Sequence, residues 1–237
     1  MNAANPSSIR RAEDRGHANH GWLNSYHTFS FASYYDPQHM GISNLRVIND
    51  DTVAPGGGFG THGHRDMEIV SYVLDGALEH KDSMGNGSVI RPGDVQRMSA
   101  GTGVTHSEYN HSNQQPVHFL QIWLQPNRVA VEPCYDQKHF ALEARRDRWV
   151  LLVSPDGRDG SIASNQDALL YSTVLTAGKT LPFTLGDKRQ GYLHLARGSI
   201  KLGDITLNAG DGYAMPKHGE LELQGIEDSE VLLFDLP

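Results

Sequence analysis

Along this chain, short stretches in which apolar and polar residues alternate, or apolar residues briefly crowd together, are separated by Gly, Pro, Asp and Asn. They occupy residues 41–50, 68–80, 88–98, 117–126, 148–155, 169–175, 191–203, 205–215 and 230–237. The three-to-four spacing of an amphipathic helix is nearly absent. Successive side chains of a strand point to opposite faces, so a period of two marks a half-buried strand. Nine such stretches predict an all-β chain with few helices, closed as a sandwich or barrel. Residues 130–147 break the rhythm. They are polar, charged and weakly patterned, and read as the connection between two halves.

The halves repeat one another in spacing. In the first, Tyr72-Val73-Leu74-Asp75-Gly76 leads to Pro92-Gly93-Asp94; in the second, Leu193-His194-Leu195-Ala196-Arg197-Gly198 leads to Ala209-Gly210-Asp211. Gly-Asp turns occur in many β proteins, but two matched anchors in the same order favour a duplication. A length of 237 residues accommodates two domains of about 100–130 residues, each able to bury its own core. The expected division is 1–135 and 136–237.

Composition narrows the function classes. With 20 Lys+Arg against 28 Asp+Glu, the net charge is −8. An acidic chain without a basic cluster lacks the footprint needed to bind nucleic acid directly, or to hold an anionic membrane surface. Cys134 is the single cysteine, so neither an intrachain disulfide nor a thiolate metal cluster can form. The first residues lack the apolar stretch of a secretory signal, and nothing approaches the ~18–20 apolar residues of a membrane-spanning helix. A soluble, cytoplasmic protein is expected. Histidine is the informative excess, with thirteen copies.

Two of those histidines, His62 and His64, lie two apart beside a predicted strand, so their imidazoles project into one space. His106 and Glu108 repeat that spacing after Gly103. A lone His-x-His is weak evidence in a histidine-rich chain. Two limbs at strand period, each flanked by glycine, predict one metal site of three nitrogens and one oxygen. Such a set suits Fe(II), Mn(II), Ni(II), Cu(II) or Zn(II).

The stretch Gly60-Thr61-His62-Gly63-His64-Arg65-Asp66-Met67-Glu68 resembles the first cupin motif, and Gly103-x-x-His106-x-x-x-Asn110 resembles the second, with Gly101 where the common pattern has proline. More closely, the chain resembles the pirin family. The likeness rests on Arg15-Gly16, His20-Gly21-Trp22-Leu23, His27-Thr28-Phe29-Ser30-Phe31, Tyr34-Tyr35-Asp36-Pro37 and Leu45-Arg46-Val47-Ile48-Asn49-Asp50-Asp51. It continues through His80-x-Asp82-Ser83-Met84-Gly85-Asn86, Met98-Ser99-Ala100-Gly101-Thr102-Gly103 and His106-Ser107-Glu108-Tyr109-Asn110. The C-terminal half is similar to the second cupin of bacterial pirin-like proteins, with fewer diagnostic residues.

The resemblance implies two tandem cupin barrels and a metal, usually iron, held by His62, His64, His106 and Glu108. Many other cupins use the position of Glu68; here the resemblance assigns that role to Glu108 and leaves Glu68 as a structural or supporting group. It further implies quercetin 2,3-dioxygenase activity, with a small aromatic flavonol and O2 as substrates and Glu108 as the base for the 3-hydroxyl. A second implication is a metal-containing regulator with a protein partner and no catalytic role. A sugar-binding or isomerase cupin is the least favoured reading. His17, His20 and His27 read as core or loop histidines; Phe59, Asp66 and Met67 as candidates for the pocket mouth.

The second half can be tested by offset. His62 and His64 precede Gly76 by 14 and 12 residues; the same offsets from Gly198 fall on Thr184 and Gly186. His106 and Glu108 follow Gly93 by 13 and 15; the same offsets from Gly210 fall on Leu223 and Gly225. None can replace the ligand set, so the C-terminal barrel is expected to bind no metal, with His194 and His218 structural.

Overall fold

The computed structural model describes residues 8–215 and 219–237. Among them the chain is all-β, its helical content limited to single turns at Ala12–Asp14, Leu142–Arg145 and Arg158–Gly160. It divides into two compact units. The first comprises Gly16–Phe140 with Ser164–Gln166; the second comprises the described residues up to Arg15, Ala141–Ala163 and Asp167–Pro237.

Each unit is a pair of sheets, one of seven strands and one of four. In the first, the four-stranded sheet runs in the order Gly58–His64, Val104–Asn110, Leu78–Asp82, Gly87–Ile90. In the second, the order is Thr180–Leu185, Gly219–Gly225, Ser199–Leu202, Ile205–Asn208. The order of sequence around each sheet is the same, which is the structural form of the repeat. Its hairpin glycines coincide too: Gly76 and Gly198 have φ of 78° and 81°. A Cβ at Gly76 would come within 2.7 Å of the Pro116 carbonyl oxygen, and one at Gly198 would meet the Ser229 side chain. Left-handed backbone and close approach together demand glycine.

The seven-stranded sheets are centred on the apolar stretches that the pattern marked. Glu68–Asp75 is buried along seven of its eight residues, as a strand covered on both faces must be. One stretch read as a connection turned out otherwise. Within 130–147, Cys134–His139 forms an edge strand paired in antiparallel register with Asp94–Ser99, Tyr135 opposite Met98. An edge strand needs partners on one side only and tolerates polar, half-exposed residues, so its sequence carries no strong alternation. Ile9–Arg10 holds the matching edge of the second unit, paired with Gly212–Ala214. No helix among the described residues is long and apolar enough to cross a membrane.

Candidate metal centre

Strand period and one bulge assemble the site. Val104–Asn110 alternates strictly: Val104, His106, Glu108 and Asn110 are buried, while Thr105 and Tyr109 are exposed. It pairs with Gly58–His64 so that His106 lies opposite His62 and Val104 opposite His64. A shift of register between His106 and Glu108 then sets Phe59 opposite Glu108. On its other edge the same strand pairs with Leu78–Asp82, placing Asp82 opposite His106 and His80 opposite Glu108.

Ligand atoms of His62, His64 and His106 lie within 4.8 Å of one another. Ring centroids are separated by 4.5 Å for His62 and His106, and by 4.8 Å for His64 with either. Nε2 of His62 faces Nε2 of His106 at 3.1 Å, and Nδ1 of His62 lies 2.8 Å from the Gly60 carbonyl oxygen. Trp123 packs edge-on to His64 at 5.1 Å. Burial, then the neighbouring imidazoles, hold His64 down to about 4 and His106 down to about 3. Both rings are therefore neutral at physiological pH, the form in which imidazole binds a metal.

Glu108 is 2 % exposed. Ser71 donates to its Oε1 at 3.1 Å and Gln121 to its Oε2 at 2.7 Å. Burial pushes the carboxyl up to about 7, against the hydrogen bonds and with the help of Asp51. Its carboxylate groups within 4.8 Å with His106 and His80, rather than with all three of His62, His64 and His106. His106 is thus common to both clusters. Three clustered imidazoles, with a buried carboxyl alongside, form a donor set that fits a single first-row divalent cation.

A cavity of about 370 Å³ opens beside these groups, within the range of small-molecule pockets. His62, His64, Glu108 and Gln121 line it together with Trp22, Phe31, Phe59 and Trp123, and with Ser25, Asn49 and Asp51. Phe59 takes the predicted place. Asp66 does not line it: at a φ of 47°, this residue turns the chain and accepts from the Ala130 N–H at 2.6 Å. Met67 packs against the cluster of Ile69, Met98, Ala100 and Val104. His20 and His27 line the cavity, whereas His17 stacks on Tyr26 and pairs with Asn24.

Glu68 lies apart from the cavity, 1 % exposed. Its Oε2 accepts from Ser99 at 2.8 Å, Ser164 at 2.6 Å and the Asn165 N–H at 3.2 Å. These bonds make it a structural anchor. In the second unit Thr184 pairs opposite Glu220, and Leu223 is wholly buried in an apolar cluster. His194 is wholly buried in Gln190–Arg197. His218 lies outside the described residues.

Residues 8–124 match the model of the Pirin family, and residues 151–236 match the quercetinase C-terminal cupin domain. The chain belongs to the pirin family. It is 46 % identical to the quercetin 2,3-dioxygenase of Escherichia coli strain K12, over 97 % of this chain and 98 % of that one. A pirin-like protein of Caulobacter vibrioides is 41 % identical over 93 % of this chain and 95 % of its own length. Among solved structures, the bacterial pirin YhhW of Escherichia coli in complex with nickel(II) superposes with a TM-score of 0.92 at 46 % identity, covering 97 % and 98 % of the two chains. The two-cupin architecture of the pirins is the architecture of this chain.

Sequence reasoning left several cavity and site residues without a role. Ser71, Gln121 and Trp123 sit in strands that read only as apolar core. His80 and Asp82 stood in a quoted motif with no function attached, although their i, i+2 spacing is the signal that picked out His62 with His64.

Proposed function

We propose that this pirin is a metal-dependent flavonol 2,3-dioxygenase, with His62, His64, His106 and Glu108 as the ligands of one divalent metal. The observation that carries this reading is a cluster of three imidazoles, two of which, His62 and His64, share the wall of a cavity with the buried carboxyl of Glu108 and with Trp22, Phe31, Phe59 and Trp123. Kinship with proteins named quercetin 2,3-dioxygenase supports the substrate class, and the nickel-containing relative supports a divalent metal. Iron is the metal we expect in the native protein, with nickel, manganese, copper and zinc as competitors for the same donors. When bound, the metal supplies a Lewis-acidic site for the adjacent hydroxyl and carbonyl oxygens of a flavonol and a redox centre for its reaction with O2.

The protein's own groups do the rest. Aromatic side chains flank a planar substrate and exclude water. Glu108 takes the proton from the 3-hydroxyl through the carboxylate oxygen that the metal leaves free. Ser71 and Gln121 hold that carboxylate in place through one hydrogen bond to each oxygen. On this reading the chemistry is confined to the first barrel, because strand register sets Phe183, Leu185, Leu221 and Leu223 of the second in the places of His62, His64, His106 and Glu108.

Aerobic incubation with quercetin of protein loaded separately with iron, nickel, manganese or copper tests the reading. Loss of the flavonol with release of carbon monoxide is expected from at least one form. Full occupancy of the site by each metal in turn, with no turnover by any of them, rules the activity out. Glu108→Gln should lower turnover by about 10²–10⁴, the usual contribution of a positioned base.

A further inference from the structure

His80 and Asp82 repeat, on Leu78–Asp82, the spacing of the two metal limbs, and their side chains are 0 % exposed. Nδ1 of His80 lies 3.5 Å from Nδ1 of His106, and Nε2 of His80 lies 3.1 Å from Oδ2 of Asp82. Tyr135, from the edge strand, packs against the His80 ring with centroids 4.9 Å apart and the planes tilted by 32°. We propose that Asp82 and His80 form a positioning dyad that fixes the tautomer of His106, presenting its Nε2 unprotonated to the metal. The inference rests on the metal reading above.

The hydrogens decide it. Oδ1 of Asp82 accepts from the N–H groups of Met84 at 2.9 Å and Asn86 at 3.0 Å, and the Asn86 amide donates to both oxygens at 3.2 and 2.9 Å. With N–H donors already on both its oxygens, Asp82 is the acceptor of the pair, so Nε2 of His80 must donate to it. A neutral His80 then has a bare Nδ1, and the facing Nδ1 of His106 must carry its hydrogen. Only Nε2 of His106 keeps a lone pair.

That atom is the one turned towards His62. Since Nδ1 of His62 donates to the Gly60 carbonyl, its own Nε2 is bare as well. Two unprotonated nitrogens 3.1 Å apart repel each other, and a shared cation removes the repulsion. His62 thus takes its orientation from a backbone carbonyl and His106 from a carboxylate acting through a second imidazole, the two kinds of partner that ordinarily fix a ligating histidine.

The test is nickel(II) binding by the full chain against a competing chelator, with His80→Leu and His80→Asn compared with wild type. His80→Leu keeps bulk and loses the acceptor; its affinity should fall about 10–100-fold, the usual loss when such a partner is removed. His80→Asn returns an amide oxygen near the place of Nδ1 and should recover most of that loss, although both variants lose the ring that packs against Tyr135. Equal nickel affinity in wild type and His80→Leu overturns the dyad. So does failure of the asparagine to do better than the leucine. Should either variant not fold, long-range ¹H–¹⁵N spectra of the wild type report the tautomers directly: hydrogen on Nε2 of His80 and Nδ1 of His106 is expected. Hydrogen on Nδ1 of His80 overturns the proposal. A wild type that takes up no metal sinks the metal centre itself, and the tautomer pattern of the metal-free protein still decides the dyad.

Discussion

The two barrels share a plan and differ in what fills them. Five residues before its hairpin glycine, the first has Ser71 and the second Leu193. Across the first sheet that row reads His27, Asn49, Gln121, Ser71 and Gln96 in register. Across the second it reads Tyr171, Leu233, Leu193 and Tyr213. The four-stranded sheet of the second adds Leu181, Phe183, Leu185, Leu221 and Leu223 to one apolar cluster. In the first, the apolar residues form separate clusters around Phe119 and Met98, and polar groups and a cavity occupy interior positions. One architecture serves either as a packed core or as a lined site, depending on a single row of inward residues. A packed interior gains from every buried methylene; a lined one accepts buried polar groups and must satisfy them.

Breaking the lined interior should produce the largest functional effect. His106→Ala removes the residue shared by both ligand clusters; metal content by elemental analysis should fall from about one per chain to near zero, and flavonol turnover by about 10³ or more. Retention of a full metal equivalent would remove His106 from the ligand set. The packed interior should answer in the opposite currency. Leu223→Ala, at a wholly buried position, should cost about 2–5 kcal/mol in urea unfolding while the folded fraction keeps its metal stoichiometry. A loss of metal without a loss of stability would reverse the contrast between the barrels.

Asp51 sharpens the comparison at intermediate size. Buried beside the cavity, its carboxyl is pushed up to about 7, chiefly by desolvation and secondarily by Asp50, against a hydrogen bond from Ser25. Folded protein therefore binds a proton that the unfolded chain has released above pH about 4. The stability associated with this group is complete below that pH and is lost as the pH rises through about 7. In metal-free protein, Asp51→Asn should flatten this slope and raise stability at pH 8 by roughly 1–3 kcal/mol, read from urea midpoints at pH 5 and 8. An unchanged slope would mean that Asp51 is already ionised in the fold. The smallest effect is expected at Gly178, where φ is 76° and nothing lies within 4 Å of an added Cβ. Gly178→Ala should cost about 1 kcal/mol from backbone strain alone, leaving metal binding untouched. Thermal melts of the loaded and metal-free forms would show it.

Much of this molecule was readable from local spacing, because strand period and turn chemistry are properties of neighbouring residues. Apolar alternation located the central strands, glycines at 76 and 198 located the hairpins, and i, i+2 pairs located His62 with His64 and His106 with Glu108. Offsets from those glycines pointed to Thr184, Gly186, Leu223 and Gly225 as the counterparts of the ligands. Strand register instead sets Phe183, Leu185, Leu221 and Leu223 there, a slip of one or two residues that leaves the absence of ligand side chains unchanged. Other features depend on pairing between distant segments. Cys134–His139 looks like a linker until Asp94–Ser99 supplies its partner. Glu68 and Glu108 are both glutamates beside a histidine motif; their separate environments come from Ser99 with Ser164 on one side and Ser71 with Gln121 on the other. His80 acquires a meaning only when the register brings it against His106. Periodicity says which way a side chain points, whereas the identity of what it meets is set by long-range strand register, and the chemistry of a buried group follows from what it meets.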